Sequence, residues 1–211
     1  MGLFPLFVDL RERACVVLGG GAVGERKVES LLAVGAAVTV VSPALTERLR
    51  QHATSGRIAH VAREYRDGDL AGAALAFAAT DDGAINGAVA REGRARGIWV
   101  NAADDPAHCD FILPAVVRRG EVAVAVSTGG ASPALARAIR ERIESALPAG
   151  ITAVAEIAGD VRRTLRARGR RASVAGWLLG IDAALEALAT GRSRAEAERM
   201  LRERLEAGPC A

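Results

Sequence analysis

The sequence has 211 residues, a formal net charge of +3, and hydrophobic side chains at half of its positions. This size and composition are typical of a globular chain that buries a core in one or two domains. Aromatic residues make up only 3%, which argues against a base-stacking surface of the RNA-recognition type, and we expect no nucleic-acid partner. The basic excess lies after residue 113, with 16 Lys and Arg against 11 Asp and Glu. An acidic partner and a solvated, arginine-rich helix surface both fit this excess.

The cysteines and the N-terminus indicate a compartment. The three cysteines form no C-x-x-C pair and are odd in number, which favours a reducing compartment without structural disulfides; they are Cys15, Cys109 and Cys210. There is no run of 18 apolar residues, so we expect no membrane span. The first 13 residues contain acids and arginines and no long apolar stretch, unlike a secretory signal. We therefore expect a cytoplasmic protein.

The first predicted elements are a strand, a glycine turn, a helix and a second strand. Ala14–Leu18 and Ala37–Val41 are short apolar runs, typical of strands buried on both faces. An apolar stripe at helical spacing lies between them, and Gly35 ends that helix. Together they predict a right-handed βαβ unit.

The alternation of strands and helices continues to about residue 113 and predicts a doubly wound parallel sheet. After that residue the pattern changes to two strands around an "RRGE" turn, a helix that begins at Ser132 and Pro133, and three amphipathic helices from Ile151 onward. The predicted boundaries lie near residues 114 and 149. The predicted helices cover 45–56 and 81–97, and the predicted strands 57–64, 74–80 and 98–104.

Residues 19–24 read G-G-G-A-V-G, a G-x-G-x-x-G motif between a buried strand and a helix. In this context the motif predicts a Rossmann-type dinucleotide-binding domain. Gly19 allows the tight turn, Gly21 lets the backbone approach a pyrophosphate, and Gly24 allows close helix–strand packing. The helix N-terminus, which includes Ala22 and Val23, attracts the phosphate charge. The alternative is a glycine turn that binds nothing.

The end of the second strand bears on the choice of cofactor. An acid that binds the ribose 2′-hydroxyl is expected there, and the sequence has Ser42, Pro43 and Ala44 instead. A serine can hydrogen-bond a ribose, but it does not exclude a 2′-phosphate as a carboxylate would. No arginine immediately follows Ser42 to hold that phosphate. We therefore predict NAD.

Polar side chains follow the fourth and fifth strands, at the edge where ligands bind in such sheets. Thr80 either contacts the cofactor or belongs, with the two aspartates after it, to the cap of the next helix. Asp104 and Asp105 come after the fifth strand, which makes them candidate catalytic acids. The alternative for these two is an ordinary Asp-Pro turn.

Two further stretches raise the question of a ligand. His108 and Cys109 are adjacent, so their side chains diverge, and there is no second Cys/His pair; since structural zinc takes four such ligands, we predict no resident metal. The other stretch, "STGGASP", leads small residues into a capped helix. It either binds substrate carboxylates through backbone N–H groups or is a purely structural tight turn. Its candidate binding residues are Thr128, Gly129, Gly130 and Ser132.

The segments "VVLGGGAVGERKVESLLAVGA", "NAADDP" and "DFILPAVVRRGEVAVAVSTGGASPALAR" resemble the siroheme-synthase N-terminal family of precorrin-2 dehydrogenases, some of which are also sirohydrochlorin ferrochelatases. The resemblance runs from about residue 3 to 147. It implies a homodimer built from an NAD-binding Rossmann domain, a central dimerisation region and a helical C-terminal domain. These would cover residues 1–113, 114–149 and 150–211.

The resemblance also implies a substrate and a catalytic residue. The substrate would be precorrin-2, a reduced tetrapyrrole with eight carboxylates. The key acid of the family's N-x-x-D-x-P motif falls on Asp104, flanked by matches at Asn101 and Pro106. Thr128 stands where some members have a modifiable serine, so we expect no serine-specific regulation there. Larger members continue into a uroporphyrinogen methyltransferase domain, and since this chain ends at Ala211 we expect another protein to methylate.

Three functions follow as hypotheses. The first is NAD-dependent oxidation of precorrin-2 to sirohydrochlorin, with Asp104 accepting a proton or orienting the substrate and C-terminal arginines holding its carboxylates. The second adds Fe²⁺ as a substrate, inserted in the same cleft by Asp104 with His108 as a helper. The third is a non-catalytic NAD-sensing regulatory module, which leaves the "NAADDP" and "STGGASP" stretches unexplained.

Overall fold

The computed structural model describes residues 2–207. The chain divides into two compact units, and the division falls between Leu113 and Pro114. The predicted further division near residue 149 stays a prediction.

The first unit contains a five-stranded sheet in the order β3-β2-β1-β4-β5. Every pair of neighbouring strands is parallel, which confirms the predicted doubly wound sheet. The strands are β1 (Ala14–Leu18), β2 (Ala37–Val41), β3 (Ile58–Val61), β4 (Leu75–Ala78) and β5 (Trp99–Ala102), and the helices are α1 (Ala22–Leu32), α2 (Glu47–Thr54), α3 (Gly83–Arg96) and a 3₁₀ turn (Pro106–His108).

Helices cover both faces of this sheet, which explains why its strands read as unbroken apolar runs. Successive residues of β1 alternate between two core clusters: Cys15 and Val17 lie in one with Val28 of α1. Val16 and Leu18 lie in the other cluster, together with Val89 of α3. Because side chains of a strand point alternately to opposite faces, each strand needs apolar residues at every position.

The chain reverses its direction of travel across the sheet between β1 and β4. From β1 it passes through α1 to β2 on one side, and from β4 it passes through α3 to β5 on the other. Ligands of such sheets bind at this switch point, beyond the carboxyl ends of the strands. The two strand ends lie close, since a Cβ on Gly19 would lie 2.3 Å from the carbonyl oxygen of Ala79.

The second unit begins with an antiparallel hairpin, whose register pairs Arg119 with Val122 and leaves Gly120 and Glu121 as the turn. Gly120 has φ +59°, the left-handed conformation that a tight hairpin turn requires. Ser132 accepts a hydrogen bond from the backbone N–H of Leu135 (3.1 Å) and caps the next helix, as predicted. The elements are β6 (Ala115–Arg119), β7 (Val122–Val126), α4 (Pro133–Ala146), α5 (Ile151–Ala167), α6 (Val174–Ala189) and α7 (Arg194–Ala207).

The last three helices share a core of their own. Val154 and Ile157 of α5 pack with Ala184 of α6 and Leu201 of α7. The small residues of α6 let α7 come close, since a Cβ on Gly180 would lie 3.0 Å from the carbonyl oxygen of Leu201. Among residues 2–207, no helix combines the length and apolar character needed to cross a membrane.

Candidate functional site

The glycine-rich turn leaves open space in front of α1. Gly21 is the N-cap residue of the helix and supplies no side-chain cap, and a Cβ placed on it would meet no described atom within 4 Å. The N–H groups of the first turn carry the positive end of the helix dipole and have no partner within the helix. This geometry fits the pyrophosphate of a dinucleotide, which needs both an anion site and close backbone approach.

Gly24 fixes the start of α1 against this turn. A Cβ on Gly24 would lie 2.0 Å from the carbonyl oxygen of Gly19, far closer than van der Waals contact allows. Gly19 itself has φ +108°, a conformation that L side chains rarely adopt. A side chain at either position would therefore displace the turn or the helix.

The middle glycine, Gly20, joins the turn to the loop after β2. A Cβ there would lie 2.1 Å from the carbonyl oxygen of Ala44, and the backbone N–H of Thr46 donates to the oxygen of Gly20 (2.9 Å). The motif requires nothing of this position, so sequence reasoning missed it. The sequence signal was the unbroken run of three glycines, in which Gly20 is the one that the motif leaves free.

The loop after β2 places its serine inward. Ser42 is buried, and its hydroxyl donates to the carbonyl oxygen of Ala44 (2.8 Å), while its own carbonyl oxygen lies 2.9 Å from Nε2 of His60. Pro43 and Ala44 are exposed. The hydroxyl proton of Ser42 is thus engaged, and a ribose would meet its oxygen or the exposed backbone beside it.

After β4, the structure separates the roles of the "TDD" residues. Asp82 caps α3, since its carboxylate accepts from the N–H groups of Ala84 (2.8 Å) and Ile85 (3.3 Å). The Thr80 hydroxyl donates to Oδ1 of buried Asn86 (3.0 Å). Helix capping is therefore shown for Asp82. Contact between Thr80 and the cofactor stays a prediction.

Asp104 stands two residues beyond β5, on the same sheet edge as the glycine turn. Its backbone has φ +56°, which costs a non-glycine residue about 1–3 kcal/mol and is found disproportionately at functional sites. Aspartate and asparagine tolerate this conformation better than most residues. Its side chain is exposed and accepts no hydrogen bond from residues 2–207. The carboxylate is therefore available to a ligand.

Lys27 brings a positive charge into electrostatic reach of this acid, and sequence reasoning missed it. Its Nζ lies 5.6 Å from the ring centre of Phe77 on β4. Burial, with a smaller effect of Arg26, lowers the pKa of Lys27, and the negative charge of Asp104 opposes that shift. The sequence signal was a lysine three residues after Gly24, one helical turn along the same face of α1.

The neighbouring acid, Asp105, has a different environment. Its Oδ2 lies 2.6 Å from Nδ1 of His108, a pairing that the 3₁₀ turn beginning at Pro106 makes possible. Further along, Asp110 accepts from the backbone N–H of Val100 (2.9 Å) and fastens the loop to the edge of β5. The structure therefore distinguishes the two adjacent acids, because Asp105 is engaged with a histidine whereas Asp104 is not.

Cys109 is held within the loop by the backbone. Its Sγ donates to the carbonyl oxygen of Ala102 (3.1 Å) and lies 3.2 Å from the N–H of the same residue. Burial raises the pKa of the Cys109 thiol above its ordinary value. Cys15 is also buried and free, and Cys210 lies outside the described residues.

We expect Cys109 to react more slowly with iodoacetamide at pH 8 in the folded protein than in urea, because its raised pKa lowers the thiolate fraction. The rate in the folded protein should rise as the pH approaches the raised pKa. Quenched labelling followed by peptide mass spectrometry measures both rates. Equal rates in the folded and unfolded protein would contradict the expectation.

In the second unit, the "STGGASP" residues form one closed turn. The Thr128 hydroxyl donates to the carbonyl oxygen of Ser132 (3.0 Å) and accepts from its N–H (3.1 Å). Gly129 and Gly130 have φ +64° and +88°, and a Cβ on either would meet no described atom within 4 Å. The turn is thus closed by its own hydrogen bonds. Its two glycines border open space on the outer side. Binding of substrate carboxylates there stays a prediction.

Between residues 2 and 207, no three His, Cys, Asp or Glu side chains come together in an arrangement that could hold an ion.

Comparison with known proteins identifies relatives of both units. Residues 6–115 match the family described as "Putative NAD(P)-binding", and residues 119–146 match the one described as "Sirohaem biosynthesis protein central". A siroheme synthase of Methylobacillus flagellatus is 46% identical over 168 residues, which cover 80% of this chain and 36% of that protein. A siroheme synthase of Nitrosococcus oceani is 38% identical over 210 residues, which cover 99% of this chain and 45% of that protein.

A solved structure also shares the fold. It is named "SirC, precorrin-2 dehydrogenase" and aligns with a TM-score of 0.69 at 24% identity, covering 97% of this chain and 99% of its own. The resemblance to siroheme synthases is confirmed by these matches, although the chain spans less than half the length of the two curated relatives. The match of residues 6–115 assigns a nicotinamide cofactor to the first unit.

Proposed function

This chain belongs to the NAD(P)-binding family whose members match it over residues 6–115, and we propose that it is an NAD-dependent dehydrogenase that oxidises precorrin-2 to sirohydrochlorin. The relatives are named siroheme synthase and precorrin-2 dehydrogenase, and these names support a reaction in siroheme biosynthesis. The observation that carries the reaction is the exposed carboxylate of Asp104, held by left-handed backbone on the sheet edge that also presents the open N-terminus of α1.

In this mechanism the protein binds the cofactor, orients the substrate and moves one proton. Bound NAD supplies the hydride acceptor. The first-turn N–H groups of α1 hold the pyrophosphate, and Gly21 lets it approach the backbone. The substrate loses a hydride and a proton, and the carboxylate of Asp104 accepts the proton and releases it to water. Lys27 brings a positive charge into electrostatic reach of Asp104 at the same edge of the sheet.

An assay that follows both products tests the dehydrogenase activity directly. Under anaerobic conditions, precorrin-2 and NAD should give NADH and sirohydrochlorin in equal amounts. Tight NAD binding without NADH formation would instead favour the regulatory module, which neither the family matches nor the relatives reported above support.

If the protein prefers NAD because it has no cation for a 2′-phosphate, an added positive charge beside Ser42 should raise its affinity for NADP. Pro43 is exposed and directly follows Ser42, at the position where a 2′-phosphate would need a cation. We expect Pro43→Arg to improve the ratio of NADP to NAD affinity by about tenfold, because a charged hydrogen bond contributes about 1.5–3 kcal/mol. Calorimetric titration with both cofactors measures the ratio, and Pro43→Gln controls for the loss of proline. An arginine without effect would place the ribose elsewhere.

We further propose that Fe²⁺ insertion into sirohydrochlorin follows in the same site. The support is that Asp104 accepts no hydrogen bond from the described residues, so that its carboxylate can receive the pyrrole protons that the metal displaces. His108 is paired with Asp105, which gives it less freedom to help than the sequence suggested. Anaerobic incubation with sirohydrochlorin and Fe²⁺ should form siroheme faster than the reaction without enzyme. Equal rates would exclude the activity.

We also propose that the protein is a cytoplasmic homodimer in which residues 114–149 form the interface. Within these residues two large apolar side chains are exposed, Val116 (37%) on β6 and Leu135 (52%) on α4. We expect Val116→Glu/Leu135→Glu to be monomeric by light scattering, because carboxylates without a cationic partner cannot be buried at low cost. The matched control is Leu178→Glu on α6, where the side chain is 60% exposed. A dimer that persists in the double variant would contradict this interface.

A further inference from the structure

A groove runs along the helical part of the second unit, between α5 and the start of α6. Its volume is about 980 Å³, near the upper end of the roughly 300–1,000 Å³ typical of small-molecule sites. All of the side chains that line it come from residues 155–181. The site residues predicted from the sequence lie elsewhere in the chain.

The lining of the groove carries unpaired positive charge. Four arginines line it, and no acidic side chain does. Within the part of the chain that the structure describes, none of the four forms an ion pair. Other arginines nearby do pair, for example Arg163 of α5 with Asp160 and Arg194 of α7 with Glu156 of α5. The four lining arginines are Arg162, Arg166, Arg170 and Arg171.

Apart from these arginines, the residues that line the groove are apolar or glycine. Trp177, Ile181 and Leu165 line it, and all three are half-buried, so each presents part of its surface to the groove. A flat apolar body can lie on these side chains, while the exposed guanidinium groups bind carboxylates in bidentate fashion. The ligand that fits this distribution is flat and apolar at its centre and acidic around its rim.

We propose that this groove is a binding site for a planar macrocycle edged with carboxylates. The chemical identity of the ligand rests on the proposed function, whose substrate belongs to this class, whereas the size, charge and apolar lining of the groove rest on the structure. A nucleic acid fits less well, because single-stranded sites stack successive bases on several aromatic side chains. This groove has one aromatic residue, Trp177.

The test is equilibrium binding of uroporphyrin III, a stable macrocycle with eight carboxylates, to the full-length protein by calorimetry. We expect Arg166→Ala/Arg170→Ala to lose one bound macrocycle per chain or to bind it about tenfold or more weakly. The matched control, Arg163→Ala/Arg199→Ala, removes the same charge from arginines that do not line the groove and pair with Asp160 and Glu203. Circular dichroism should show the same helix content in both variants.

Three further results decide the ligand class. Protoporphyrin IX, with two carboxylates, should bind more weakly than uroporphyrin III, and citrate should not displace the macrocycle at equal concentration. Equal binding by the two double variants, displacement by citrate, or tighter binding of an oligonucleotide would each overturn the proposal. NADH formation from precorrin-2 is measured separately. A chain that binds uroporphyrin through the groove but forms no NADH contradicts the dehydrogenase alone, and one that forms NADH without groove binding contradicts the groove alone.

Discussion

Asp104→Asn should lower the rate of NADH formation from precorrin-2 by about 100-fold or more, because a positioned acid or base contributes roughly 10²–10⁴-fold. Asparagine has the same shape and also tolerates the left-handed backbone at this position. The fold should therefore be kept, and only the ability to accept a proton is lost. Initial rates under saturating NAD, with thermal unfolding as the measure of folding, give both quantities.

Asp105→Asn is the matched control, because it makes the same chemical change at the next residue. Asp105 is engaged with His108 (2.6 Å), so we expect its replacement to leave the dehydrogenase rate within about threefold of the unaltered protein. Full activity with unchanged substrate affinity in Asp104→Asn would exclude a catalytic role. The reverse order of effects would assign the proton to the Asp105–His108 pair.

Two glycines of the same motif should respond in opposite ways to alanine. Gly24→Ala places a Cβ 2.0 Å from the carbonyl oxygen of Gly19, and we expect it to destabilise the first unit by about 3 kcal/mol, at the upper end of overpacking effects. Gly21→Ala meets no described atom within 4 Å, so its unfolding midpoint should stay close to that of the unaltered protein. Its NAD affinity should fall roughly tenfold or more, since the methyl group occupies the space left for the pyrophosphate.

Urea unfolding and calorimetric NAD titration separate these two effects. Both variants keep a negative φ at the replaced position, −81° for Gly21, so backbone strain does not confuse the comparison. If Gly21→Ala bound NAD as tightly as the unaltered protein, the pyrophosphate would not lie at the N-terminus of α1. If Gly24→Ala were as stable as the unaltered protein, the glycine turn would have to shift and make room for the methyl group. That result would contradict the expected clash with Gly19.

Local sequence patterns were enough to predict the architecture of both units. The apolar runs of β1 and β2 specify buried parallel strands, because a strand covered on both faces needs apolar residues at every position. Ser132 and Pro133 mark the start of α4, since capping depends on neighbours three residues away. These features are short-range, and a single sequence contains them in full. The glycine motif belongs to the same class, because its requirements lie within six residues.

Contacts between distant residues were decided only by the tertiary structure. Gly20 is needed because the loop after β2 packs on it, and Ser42 turns its hydroxyl inward to Ala44. Lys27 acquires significance because β5 brings Asp104 to the same sheet edge. The arginines of α5 face a groove because α6 folds back beside them. The sequence by itself determined which elements form and which motif is the candidate for binding phosphate. Which polar groups remain available to a ligand depended on the packing of residues far apart in the chain.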